Sequence, residues 1–157
     1  MLALTRRIAA VSLVLAGIAA GPVAAAQASD ATLRTSLRRD LPRIKASQLK
    51  IRAASLRAQR THSPSVLIRA IESQDRNLGS LRRRLRREPA SSRSGRRGKA
   101  DVVRGLTLIV DSNTVLARDL KRAAHHERVS KRRLAAATLS DRRGNRDLLR
   151  GAKLLKL

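Results

Sequence analysis

The chain has 157 residues, no cysteine and no Phe, Tyr or Trp, and it sets 36 Lys and Arg against 11 Asp and Glu, a formal net charge of +25. These numbers exclude disulfides and thiolate chemistry, exclude a core built on aromatic rings, and direct the search for partners toward anions. Ala, Leu and Arg are abundant and the aromatic residues that strands favour are absent, so composition predicts an all-α protein.

The chain opens MLALTRR and then runs uncharged through "IAAVSLVLAGIAAGPVAAA" to Ala26-Gln27-Ala28, just before Ser29-Asp30. A basic start, an apolar run, a Gly21-Pro22 break and a small-x-small site predict a secretory signal peptide over residues 1–28, cleaved to leave residues 29–157 as a single helical domain. The run is barely of membrane-span length and is interrupted by Gly17 and Gly21-Pro22, which argues against a retained anchor. The expected location is extracytoplasmic, secreted or in the cell envelope, with no transmembrane segment after cleavage. Processing removes only Arg6 and Arg7, so the mature chain stays strongly basic.

In the mature region Leu33 and Leu37 begin a short helical stretch expected to stop before Pro42, with Asp40 as its cap. Residues 42–59 predict a less regular helix with Ile44, Ile51 and Ala58 at heptad spacing, closed by a turn at His62-Ser63-Pro64. The strongest pattern follows. In residues 64–88, Leu67, Ile71, Gln74, Leu78, Leu81 and Leu85 alternate spacings of four and three, and in residues 100–126 so do Val102, Leu106, Ile109, Asn113, Leu116 and Leu120. Between them lies a basic Ser/Gly/Arg-rich segment, residues 89–99, expected as a linker. A last helix is predicted from about residue 129 to 156, with a break at Gly144-Asn145.

Folding the chain back at the linker sets Leu85 against Val102, Leu81 against Leu106 and Leu78 against Ile109. In the same register Gln74, the sole polar residue of its seam, falls opposite Asn113, the sole polar residue of the other, and Arg76 falls opposite Asp111. The expected fold is therefore an antiparallel three- or four-helix bundle built around this helical hairpin, with Gln74 and Asn113 as a structural polar layer that sets register.

At the linker end, Arg82, Arg83, Arg84, Arg86, Arg87, Arg93, Arg96, Arg97 and Lys99 are expected to face outward together. This is a candidate polyanion-binding tip, although charged helix ends and Ser/Gly loops also serve solubility alone. At the opposite end the register gathers His62, His125, His126 and Glu127, a donor set for zinc, copper or nickel, against which adjacent histidines on one helix diverge by about 100 degrees. Glu72, Asp75 and Asp111 sit near the amide layer, but the Glu-x-x-His spacing of di-iron bundles is absent and arginines surround them. No Gly-x-Ser-x-Gly turn occurs, and Gly95 and Gly98 follow no strand, so no catalytic residue, cofactor or enzymatic activity is expected.

Without aromatic residues to stack on bases, nucleic-acid contact would be confined to phosphates and indifferent to sequence. The C-terminal "NRDLLRGAKLLKL" has Leu148, Ala152 and Leu155 on one face and Arg146, Arg150 and Lys153 on the other, a pattern shared by membrane-surface helices and by the last helix of a bundle. The leading expectation is an exported, non-enzymatic basic bundle whose tip binds a wall polymer, an anionic lipid surface, extracellular DNA or an acidic protein. The alternatives are a structural or protein-interaction bundle, including a homo-oligomer, and, third, a histidine metal-binding module.

Overall fold

A computed structural model describes the backbone of residues 2–157 and the side chains of residues 29–157, so the predicted signal peptide lies outside the residues whose side chains are described. The protein is all-helical: α1 spans Leu2–Thr61, α2 Ser65–Arg87, α3 Arg93–Ala124 and α4 Lys131–Leu154. Among the described residues there is no strand, and no helix is long and apolar enough to cross a membrane.

Each helix runs antiparallel to the next. Ser36 Oγ donates to Glu88 Oε1 at 2.7 Å and Arg84 pairs with Asp40, which ties the middle of α1 to the end of α2. Lys121 reaches Glu72 at 2.6 Å across α2 and α3, and Arg150 reaches Asp101 at 2.7 Å across α3 and α4. The core is aliphatic, as the composition requires: Leu33, Leu37, Leu78, Leu81, Leu85, Val102, Leu106, Ile109 and Leu155 form one buried cluster drawn from α1, α2, α3 and the residue that caps α4.

Several boundaries differ from those the sequence predicts. Helix α1 does not stop at Pro42 but runs through it, and Asp40 lies inside the helix paired with Arg84 instead of capping it. Pro42 is exposed, on the side of α1 away from the core, while Leu33, Leu37 and Ile44 on both sides of it pack inward. The expected linker at 89–99 is mostly helix. Ser92 caps α3 by accepting a hydrogen bond from the Gly95 amide at 2.8 Å, leaving only residues 88–92 to make the turn.

Helix α4 passes unbroken through Gly144-Asn145, for a reason that lies on α3. Gly98 faces Gly151 and Gly105 faces Gly144, and a Cβ added at Gly105 would come within 2.6 Å of the Gly144 carbonyl oxygen. One turn-pair further, Ser112 Oγ donates to the Ala137 carbonyl at 2.8 Å. Residues 98, 105 and 112 on α3 and 137, 144 and 151 on α4 are thus small residues at heptad spacing that bring two backbones into contact. A glycine that reads as a helix breaker is here what close approach demands.

Candidate functional site

The nine basic side chains of the expected tip are not equivalent. Arg84 is bound to Asp40 and lies 3.7 Å from Glu88, and the Lys99 ammonium donates to the carbonyls of Arg86 and Glu88, closing the end of α2. Arg96 donates to the Ser91 carbonyl, and Arg82 is half-buried with its Nε unbonded. Arg83, Arg86, Arg87, Arg93 and Arg97 are exposed, and among the described residues none of them pairs with a carboxylate.

Because α3 starts at Arg93, Arg93, Arg96 and Arg97 stand on its first turns and not in a loop. The first turn of α3 contains no acidic residue of its own, although a helix N-terminus carries partial positive charge and disfavours cations. The missing negative charge comes from α1: Asp30 accepts from the Ser91 amide at 3.0 Å and from the Ser92 hydroxyl. The Ser92 bond, the neighbouring backbone amides and Arg34 together hold the Asp30 carboxyl below the usual carboxylate range, against the opposing effect of its burial. Cations of the adjoining helices stand near this end: Arg34 acts on Asp30, and Arg38 donates to the carbonyl of Lys156, next to the Leu155 that packs against Gly98, at 3.0 Å. Sequence reading left these out because it could not say where α1 and α4 end relative to the hairpin.

The polar layer is continuous through three helices. Asn113 Nδ2 donates to Gln74 Oε1 at 3.0 Å and Gln74 Nε2 to Ser47 Oγ at 3.4 Å, both buried, and Ser47 donates to the Ile44 carbonyl at 2.8 Å where the layer is part-buried. Ser47 carries no signal in sequence, since a serine in a polar helix surface is ordinary. Arg76 and Asp111, expected to face each other beside this layer, are both exposed and form no ion pair within 4.0 Å.

The histidines do not converge. Among the described residues no group of three or more His, Cys, Asp or Glu is placed to hold a metal ion. His62, His125 and His126 are exposed, and Glu127 is paired with Arg122 at 2.8 Å. His126 has φ 59°, its amide donates to Ala123 O at 3.0 Å, and the Glu127 amide donates to Arg122 O at 3.0 Å, a left-handed closure of α3. His62, with φ 51°, takes the same conformation directly after α1. These histidines end helices.

Of the three central acids, Glu72 is held by Lys121, Asp111 is exposed, and Asp75 accepts from Thr114 at 3.3 Å. Burial pushes the Asp75 carboxyl up, with bonds from Asn113 and Thr114 opposing. At the C-terminus Leu155 is buried, Leu148 and Ala152 are half-buried toward the core, and Arg150 is bound to Asp101 and Asp147. Its apolar face belongs to the bundle.

The fold and these surfaces define a class: a basic, all-α bundle of consecutive antiparallel helical hairpins. Comparison with protein-family models, with curated proteins and with solved structures finds no match to this chain.

Proposed function

We propose that the protein is an exported, non-enzymatic bundle that binds an anionic polymer through the arginine cluster at its α2–α3 tip. One observation carries this reading: five exposed arginines without carboxylate partners crowd one end of the bundle, Arg83, Arg86 and Arg87 on the last turns of α2 and Arg93 and Arg97 on the first turns of α3, where the helix dipole disfavours positive charge. Like charges gathered at one tip repel one another, and a local cost of that kind is a mark of use. Solubility alone is served as well by arginines spread over the long helix faces. Export rests on the signal-like residues 1–28, and it points to envelope or extracellular polyanions as the partners.

The test is binding of the full chain to a fluorescein-labelled double-stranded oligonucleotide, used as a generic polyanion, across a salt series. The comparison protein carries Arg83→Gln, Arg86→Gln, Arg87→Gln, Arg93→Gln and Arg97→Gln. Affinity is expected to fall steeply with salt, and the log-log slope to flatten by about 0.9 for each arginine that contacts a phosphate. An unchanged slope in the substituted protein removes the tip from consideration.

A second reading, a protein-interaction bundle, draws on a different feature. A cleft of about 570 Å³ separates the middle of α1 from α4, lined by Ile44, Ile51, Ile109, Leu116, Leu134 and Leu148 among others, with Leu49, Leu56 and Leu139 exposed on the same two helices. Association that persists at high salt, measured by sedimentation, would favour it.

A further inference from the structure

A second cavity of about 460 Å³ opens between α1 and α2, sharing Ile44, Gln74 and Leu78 with that cleft and reaching from Lys50 to the Asp40–Arg84 pair. It exists because the facing residues are short: Ala46 and Ser47 on α1 and Ala70 and Ser73 on α2 cannot fill the space between the helix axes. Its apolar wall is formed by Ile44, Leu78 and Leu81, the last two belonging to the buried core. Its polar wall offers hydroxyls and amides from Ser73, Asn77 and Ser80.

The charges around this cavity are one-sided. Arg43 and Lys50 line it from α1, two turns apart, and neither pairs with a carboxylate among the described residues. Its one acid, Asp40, is already bound to the third cation, Arg84, whose buried Nε makes no hydrogen bond and lies 3.7 Å from Glu88. The volume is that of a small-molecule site, lined on one side by apolar carbon and on the other by donors and uncompensated positive charge. A cation meets repulsion there.

We propose that this cavity binds a small amphiphilic organic anion, its acidic group held by Arg43 and Lys50 and its apolar body laid against Ile44, Leu78 and Leu81. The site stands apart from the tip and shares with it only Arg84, so either can fail without the other. The probes are 8-anilinonaphthalene-1-sulfonate, which carries an acid on an apolar frame, and N-phenyl-1-naphthylamine, its neutral counterpart, each titrated by fluorescence into the full chain.

The expected result is one sulfonate site per chain, weakened about tenfold by the pair Arg43→Gln and Lys50→Gln, the order of two partly shielded charge contacts. The neutral probe should be insensitive to that pair. Ala70→Phe, which fills the cavity, should weaken both probes, and the pair Arg83→Gln and Arg87→Gln at the tip should affect neither. Arg43 and Lys50 are exposed, so their replacement tests the site without disturbing the core, and circular dichroism checks that Ala70→Phe keeps its helicity. Undiminished sulfonate binding in the Arg43/Lys50 variant overturns the proposal, as does a loss that follows the tip substitutions instead.

Discussion

Helix α3 takes part in two hairpins that are held together in opposite ways. Against α2 it presents Val102, Leu106 and Ile109, buried side chains that fill the gap with aliphatic volume and enclose one amide pair. Against α4 it presents Gly98, Gly105 and Ser112, and the backbones themselves touch. The first hairpin gains from the apolar area it removes from water, the second from dispersion and hydrogen bonding at a distance that only small residues permit. Removing aliphatic volume should therefore harm the first hairpin, and adding it should harm the second.

The largest expected effect is on the side-chain seam. Leu106 is fully buried, and Leu106→Ala should cost about 3–4 kcal/mol in urea unfolding through lost burial and the cavity left behind. Next comes the backbone seam. Gly105→Ala adds a methyl that would lie 2.6 Å from the Gly144 oxygen and 2.9 Å from the Leu148 amide nitrogen, and should cost about 2–3 kcal/mol by forcing α3 from α4. Gly79→Ala on α2 is the control: its Cβ meets nothing closer than 3.7 Å, so the better helix former should stabilise by about 0.5–1 kcal/mol. Equal outcomes at Gly105 and Gly79 would show that the α3 and α4 backbones are not in close contact.

Smaller effects sharpen it. Gln74→Leu strands the buried Asn113 amide and should cost about 1–2 kcal/mol, whereas Gln74→Leu combined with Asn113→Leu should recover much of that loss. Such recovery, seen in a double-mutant cycle, would mark the layer as a device for register more than for stability. At the turn joining α3 to α4, His126→Gly relieves a left-handed residue with a side chain and should stabilise by about 0.5 kcal/mol.

The smallest effect depends on pH. Asp141 on α4 has its carboxyl pushed up by burial, with the bond from Asn145 opposing. A raised value in the folded state means that stability is present below the unfolded pKa and lost as pH rises through the folded one. Asp141→Asn should accordingly gain a few tenths of a kcal/mol at neutral pH, and the gain should vanish below about pH 4. A gain that persists in acid would point to packing.

The α2–α3 seam was legible in sequence because large aliphatic residues at spacings of four and three have few other uses, and the pairing of Gln74 with Asn113 follows from the turn between them. The α3–α4 seam was present in the same letters, at residues 98, 105, 112, 137, 144 and 151, but glycine and alanine at heptad spacing do not stand out against a chain rich in both. In sequence Gly144 signals a break and Gly98 a linker, since a glycine's meaning depends on a partner backbone that sequence does not show. The tip was visible as charge, yet which arginines are free depended on Asp40, Glu88 and the carbonyls at the end of α2.

Sequence by itself determined that this protein is helical, aliphatic in its core and strongly positive, because helix propensity, the absence of aromatic residues and net charge are properties of single residues summed along the chain. Only the tertiary structure decided that α1 runs through Pro42, that Asp30 supplies the negative charge at the start of α3, and that a charged cavity lies between α1 and α2. Each of these rests on contacts between residues more than twenty positions apart, where packing outweighs a local preference of about a kilocalorie per mole and where the space left unfilled belongs to no single residue.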